Sequence, residues 1–450
     1  MTGMTDHVEL ILDGTKIAWH QDRIDAWERG ERIAPITIDM SLTRACNFAC
    51  HFCYAMLQEN ERKVIDKKAI FEFLEDCAEI GVKGISLVSD GESTISPVFV
   101  DACKYGHEVG TNGFVLNRRK LEEVLPSLTY LRVNISAGER KRYAEIMGVK
   151  EHWFDRVAEN IKAMGEIKRE QNLGVTIGMQ MVLMPEYHDQ IMPLAQLGKE
   201  LRPDYLVIKH CSDDEDGSLG VDYSGYADLY ETLHAAEALS DDTYQVTVKW
   251  SKIDTEGTRS YQRCYGAPFM LQMSGSGLVA PCGMLFNERY KKFHIGNITE
   301  ERFRDIFYSD RYWEVMNYLA SPDFNAQKMC GSLCLQHKVN EFLDGYQKGD
   351  FDLPEMKGEQ PMHITFIGRR SWGNDRRRER LQAALPETDA AHPSGRGDHR
   401  ATLCRAGNAL PGASFHRSGS LRRRRVRWAD ARRPSLQQPP LPRALSCQGR

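Results

Sequence analysis

One nine-residue stretch constrains this chain most: Cys46-Asn47-Phe48-Ala49-Cys50-His51-Phe52-Cys53-Tyr54. It sets three cysteines at C-x3-C-x2-C spacing. A strand-like run, Ile36 to Met40, comes shortly before it. The stretch therefore reads as a loop near the C-terminal end of a first strand. So short a loop brings three thiolates to one small object. Three thiolates suit a 4Fe–4S cluster with one iron left open. Structural zinc takes four protein ligands, and catalytic zinc usually takes His or carboxylate. A zinc knuckle, or three unrelated core cysteines, is the competing reading.

This stretch, with the aromatic Phe52 before its third cysteine, resembles the cluster loop of radical S-adenosylmethionine (SAM) enzymes. The resemblance implies a 4Fe–4S cluster on Cys46, Cys50 and Cys53, whose open iron chelates SAM. It also implies reductive cleavage of SAM to a 5′-deoxyadenosyl radical that abstracts hydrogen from a substrate. The cofactors supply the hard chemistry, and the protein binds, orients and excludes water.

The rest of the chain agrees with an α/β enzyme. Its 450 residues, 41% hydrophobic and 27% charged, suffice for two or three domains of ordinary soluble composition. No apolar run reaches the roughly 18 residues of a membrane span. The N-terminal ten residues carry acids and no basic cluster, unlike a secretory signal. Twelve cysteines gathered in short-spaced groups fit metal binding in a reducing cytoplasm better than disulfides.

From Ile36 the chain alternates strands and helices. Strands are expected at 82–88, 128–135, 175–184 and 205–209. Helices are expected at 67–80, capped by Asp66, and at 153–170. Repeated strand–helix units predict a parallel sheet with sites at the C-terminal strand ends. The resemblance implies a partial (β/α)6 TIM-like barrel over residues 36–235. Before it, residues 1–35 read as a hairpin extension, with strands His7–Leu12 and Lys16–Trp19 around Asp13-Gly14 and a short helix from Gln21 to Glu31. Residues 212–227 form an acidic loop that reads as mobile surface.

Ser89-Asp90-Gly91-Glu92 ends the second strand and resembles the family's Gly-Gly-Glu motif. Gly91 and Glu92 are then expected at the SAM amino group. Asp replaces the usual glycine at position 90, which leaves Asp90 open to another role, such as substrate contact. Thr111-Asn112-Gly113 resembles the third-strand turn. In Arg132 to Gly138, Asn134 and Ser136 share one side by period two. The resemblance points them, with Phe52, toward SAM. Gln180, Lys209 and His210 are weaker candidates at other strand ends.

A second constellation follows at Cys264, Cys282, Cys330 and Cys334. Gly277 to Cys282 gives G-x4-C, and Cys330 to Cys334 gives C-x3-C. A hairpin is expected at 270–280 and a helix at 306–319. Four thiolates complete a 4Fe–4S cluster or a structural zinc site, and sequence alone does not separate them. The region resembles the twitch form of the SPASM domain in radical SAM enzymes. That implies a small α+β domain over 236–345 with one auxiliary 4Fe–4S cluster for electron transfer.

From about Arg369 the composition changes. The remaining residues include nineteen arginines, no lysine and six acids. This 346–450 tail reads as disordered, or as non-native coding from about 369, ahead of a basic arm. The body is acidic, which disfavours a nucleic-acid partner. The expected function is radical SAM oxidation or modification of a small polar metabolite such as a sugar or cyclitol. The alternatives are maturation of a ribosomal peptide and, from a different class, a non-catalytic metal scaffold. The family implies an electron donor such as flavodoxin or ferredoxin.

Overall fold

Parallel strands buried on both faces form the frame, as the near-continuous apolar runs of the sequence require. The computed structural model describes residues 14–58, 64–332 and 334–356. In chain order the strands are β1 (Thr37–Met40), β2 (Gly84–Leu87), β3 (Glu108–Thr111), β4 (Tyr130–Asn134), β5 (Thr176–Leu183), β6 (Tyr205–His210), β7 (Gln245–Val248), β8 (Met270–Met273), β9 (Leu278–Ala280) and β10 (Gly296–Asn297). They make one sheet in the order β10-β9-β8-β1-β2-β3-β4-β5-β6-β7. Pairing is parallel from β8 through β1 to β7, and antiparallel for β8–β9 and β9–β10. The sheet stays open, with β7 and β10 at its edges, as a partial barrel. β7 adds a parallel strand beyond the expected six. The expected hairpin at 270–280 is present, and its first strand joins the barrel sheet directly through β1.

The helix Lys67–Ile80 shows how the sequence sets an element. The Asp66 carboxylate accepts from the Ala69 N–H at 2.8 Å, and Gly81 ends the helix in the left-handed region. Ile70, Phe73, Leu74 and Cys77 face the core. Each large side chain among them contributes on the order of 1.5–3 kcal/mol by burial. The same face carries Asp76, which is fully buried. Arg302 grips it in two parallel bonds, Nη2 to Oδ1 at 2.6 Å and Nε to Oδ2 at 3.0 Å. This pair pins the helix Phe303–Tyr308 to the barrel. Arg302→Ala would strand a buried carboxylate and is expected to cost about 3 kcal/mol. A urea melt checks it, and an unchanged midpoint would show the pair contributes nothing.

Three expectations are corrected. Lys16–Trp19 is not a strand but part of a 3-10 helix, Gly14–His20, packed on the C-terminal helix His337–Lys348. Its partner strand, His7–Leu12, lies outside the described residues. The short helix that follows is present at Gln21–Glu28. Next, the 306–319 helix is two helices, Phe303–Tyr308 and Asp310–Ala320. Ser309 is extended between them, and its hydroxyl caps the second by accepting from the Tyr312 N–H at 3.2 Å. Finally, the 212–227 loop is tied down. Arg289 pairs with Asp214 and Asp216, and Tyr290 bonds Glu215. The arginine-rich tail lies outside the described residues.

Candidate active site

The cysteine loop leaves β1 and is clamped from three sides. A Cβ on Gly91 would lie 2.2 Å from the Thr43 carbonyl oxygen, and one on Gly275 would lie 2.1 Å from the Thr43 carbonyl carbon. Gly91 also has φ +94°, so no other residue fits there without strain. On the third side, the Ala49 and His51 N–H groups donate to the carbonyls of Met147 and Ile146. A Cβ on Gly148 would lie 2.2 Å from the Ala49 carbonyl oxygen. Two turns of the sheet and the end of the helix Arg140–Met147 therefore fix the loop.

Cys50 and Cys53 are half-buried, and Cys46 keeps an exposed edge. Burial, with Cys53 and Cys46 nearby, pushes the Cys50 thiol well above its ordinary range. Desolvation, with Glu92 and Cys53 nearby, pushes Cys46 up to about 11. The three thiols thus act on one another across a small space. As free thiols they stay protonated, so binding iron must release protons. Phe48 N–H donates to the Cys46 sulfur at 3.4 Å, and Asn112 also favours its thiolate. Asn112 further donates from Nδ2 to Asn47 Oδ1 at 2.8 Å, joining the third-strand turn to the cluster loop.

Asp90 and Glu92 are the buried acids of the second-strand turn. Asp90 accepts from Ser274 Oγ at 2.6 Å and Gly275 N–H at 2.8 Å, and pairs with Arg44 Nε at 3.1 Å. It fastens the β8–β9 turn to the cluster loop, which corrects the expectation of a substrate contact. Glu92 is 3% exposed. Its Oε1 accepts from Thr94 N–H at 3.2 Å, Thr94 Oγ1 at 2.5 Å and Thr111 Oγ1 at 2.7 Å, and its Oε2 from Asn112 N–H at 2.7 Å. Burial pushes the carboxyl above its ordinary range, and these bonds pull it back. Glu92 thus holds the turns after β2 and β3 together beneath the cysteine loop.

The fourth-strand candidates differ. Asn134 is half-buried and accepts from Gln180 Nε2 at 2.9 Å. Ser136 is fully buried, and its hydroxyl accepts the Val182 N–H at 3.1 Å. Phe52 is half-buried, and its carbonyl lies 3.7 Å from Cys211 Sγ at the end of β6. Lys209 and His210 alternate faces. His210 is walled in by Tyr223 and Tyr226, at 5.5 and 6.1 Å between ring centroids. Lys209 points to the face shared by Tyr205 and Val207, the barrel interior.

The four later cysteines converge from separate elements. Burial, together with Cys334, Cys330 and Cys264, pushes the Cys282 thiol well up. Cys264 and Cys330 are each raised to about 12, chiefly by burial. Gln336 Nε2 donates to the carbonyls of Met270 and Pro281, and its Oε1 meets Cys264 Sγ at 3.3 Å. The Cys330–Cys334 loop docks on the acidic loop: Ser332 N–H donates to the Asp213 carbonyl at 2.9 Å, and Asp213 N–H to Ser332 Oγ at 2.8 Å. Among the described residues no three His, Cys, Asp or Glu side chains crowd a single point as ligands of one ion do. Asn112, Gln336 and Arg259, which donates to the Ala326 and Ser332 carbonyls, were not singled out as functional residues from sequence. Asn112 belongs to the Thr111-Asn112-Gly113 turn motif. The other two carry no spacing signal.

An open parallel barrel with three cysteines after its first strand, and four more beside it, defines an α/β protein with two thiol-rich sites. Residues 40–197 match the radical SAM superfamily, and residues 264–334 match an iron–sulfur cluster-binding domain, SPASM. The chain belongs to the radical SAM superfamily and carries a C-terminal SPASM domain. The cofactors of these domains are a catalytic 4Fe–4S cluster, SAM and an auxiliary iron–sulfur cluster. Probable GTP 3′,8-cyclases of Saccharolobus islandicus and Saccharolobus solfataricus are 29% identical over 131 residues, covering 28% of this chain and 42% of their own length. The matched stretch thus spans less than half of those relatives. Streptococcus suis SuiB bound to S-adenosylmethionine shares the fold, with a TM-score of 0.51 and 17% identity over 66% of this chain and 72% of that one. No helix among the described residues is long and apolar enough to cross a membrane.

Proposed function

We propose that this protein is a radical SAM enzyme that modifies a small polar molecule held inside the barrel. The catalytic cluster would sit on Cys46, Cys50 and Cys53, and the auxiliary one on Cys264, Cys282, Cys330 and Cys334. When bound, the first cluster and SAM supply a 5′-deoxyadenosyl radical for hydrogen abstraction. The protein's own part is to fix the cysteine loop through Gly91, Gly275 and Gly148, and to brace it through Asp90 and Glu92. SAM would lie over Phe52 and against the backbone of the Gly91 turn, with Asn134 within reach. Ser136 and the Glu92 carboxylate would support this wall from behind.

The observation that carries a small substrate is Leu335. It follows Cys334 and packs against the cluster of Tyr130, Tyr205 and Val207 on the interior face. The auxiliary loop therefore reaches into the barrel and narrows it, which leaves less room for a peptide. The name of the curated cyclases also favours a small molecule, and it turns the choice away from the sugar or cyclitol expected from sequence.

The test measures 5′-deoxyadenosine from the reconstituted protein with metabolite-sized and peptide-sized fractions of a cell extract. Stimulation by the metabolite fraction is expected. Stimulation confined to the peptide fraction would favour the maturase reading instead.

A further inference from the structure

We infer that Asn340 is a positioning residue of the auxiliary site: its side-chain amide donates a hydrogen bond to the Cys264 sulfur and makes a metal cluster held there easier to reduce. The inference rests on reading Cys264 as a ligand of the auxiliary cluster. Asn340 itself lies beyond residues 264–334, the stretch that matches the SPASM domain.

The helix His337–Lys348 carries the amide to the sulfur. Gln336 stands at its N-cap and Asn340 comes four residues later, so the two share one face. The segment from Cys264 to Gly266 lies across that face. A Cβ on Gly266 would lie 3.3 Å from Asn340 Oδ1 and 3.5 Å from Gln336 Cβ. Glycine at this position therefore lets the segment lie close against the helix.

Asn340 is buried. Its Oδ1 accepts the Gly266 N–H at 2.7 Å, and its Nδ2 donates to Cys264 Sγ at 3.5 Å. A backbone N–H only donates, so the Gly266 bond fixes which end of the amide meets the sulfur. Gln336 is fixed in the opposite sense. Its Nε2 donates to the carbonyls of Met270 and Pro281, which turns its Oε1 to Cys264 Sγ at 3.3 Å. The two amides thus suit two states of one cysteine. A thiol donates to the Gln336 oxygen and is a weak acceptor for Asn340. A thiolate has no proton for Gln336 and takes a charge-assisted bond from Asn340. Buried donors in folded proteins have good acceptors. Nδ2 has one when Cys264 is ionised, as a metal ligand is.

Reduction adds one electron to a cluster and puts more negative charge on its sulfurs. The Asn340 bond then strengthens, so the reduced state is stabilised more than the oxidised one. The Gln336 oxygen, held against the same sulfur, acts in the other direction, and Asn340 offsets it.

Full-length Cys50→Ala, reconstituted anaerobically, lacks a ligand of the first cysteine set and isolates the auxiliary signal. Reductive titration followed by electron paramagnetic resonance gives its midpoint potential. Adding Asn340→Leu is expected to make the auxiliary cluster about tenfold harder to reduce, a fall of about 59 mV for one electron. Mere loosening that admits water would move the potential upward, because water favours the more highly charged reduced state. A second readout needs no change at Asn340. Cys50→Ala protein grown with heavy-nitrogen asparagine is expected to show a nitrogen coupling in the pulsed resonance of the reduced auxiliary cluster. An unchanged or raised potential in Asn340→Leu, or no such coupling, would overturn the assignment. If Asn340→Leu holds no auxiliary cluster, the coupling decides alone. A Cys50→Ala protein without iron would overturn the auxiliary site and this inference with it. About four irons without the asparagine coupling would overturn this inference alone.

Discussion

Cys50→Ala, reconstituted anaerobically, is expected to hold about four irons where the wild type holds about eight, and to form no 5′-deoxyadenosine. The three thiols of the cysteine loop lie close enough to shift one another, and removal of one leaves a cluster two protein ligands. The other four cysteines stand on different elements. Cys282 follows β9, and Cys330 and Cys334 flank a loop docked on Asp213. The auxiliary cluster should therefore survive, and its electron paramagnetic resonance signal should persist. Cys282→Ala is the reciprocal case, losing the auxiliary signal while keeping SAM cleavage. If Cys50→Ala formed 5′-deoxyadenosine at the wild-type rate, Cys50 would not be a cluster ligand.

Glu92→Gln is expected to cost about 3 kcal/mol of stability, although the two side chains have nearly the same shape. All four hydrogen bonds run from donors into the carboxylate. An amide turns an N–H toward the Asn112 N–H or toward the Thr94 group, and a buried donor is left facing a donor. The turns after β2 and β3 should loosen together, and SAM cleavage should fall with them. A urea melt beside a 5′-deoxyadenosine assay separates two roles for this acid. Lost cleavage at unchanged stability would make Glu92 a free ligand of SAM rather than a brace.

Local signals carried much of this structure. The Asp66 cap, Gly81 and the face Ile70, Phe73, Leu74 and Cys77 placed the helix Lys67–Ile80 at its observed ends. The helix Trp153–Glu170 was equally plain from its period. Cysteine spacing selected the first thiol set, because ligands to one cluster on one loop must be close in sequence, and the G-x4-C and C-x3-C patterns marked the second. Failures came where distant partners decide. Lys16–Trp19 looked like half a hairpin, yet packing on the helix His337–Lys348 makes it helical. Asp90 looked like a departure that freed a side chain for substrate, yet Ser274 and Gly275 claim it from far along the chain. The acidic run at Asp213–Asp216 looked like solvated loop until Arg289 and Ser332 met it.

One measurement bears most directly on the account: iron and sulfide content of the anaerobically reconstituted wild type, with 5′-deoxyadenosine assayed after dithionite and SAM. About eight irons per chain with SAM cleavage is the expected result, for two 4Fe–4S clusters on the seven named cysteines. An intact cluster that leaves SAM uncleaved would contradict the account and make the chain an iron–sulfur scaffold.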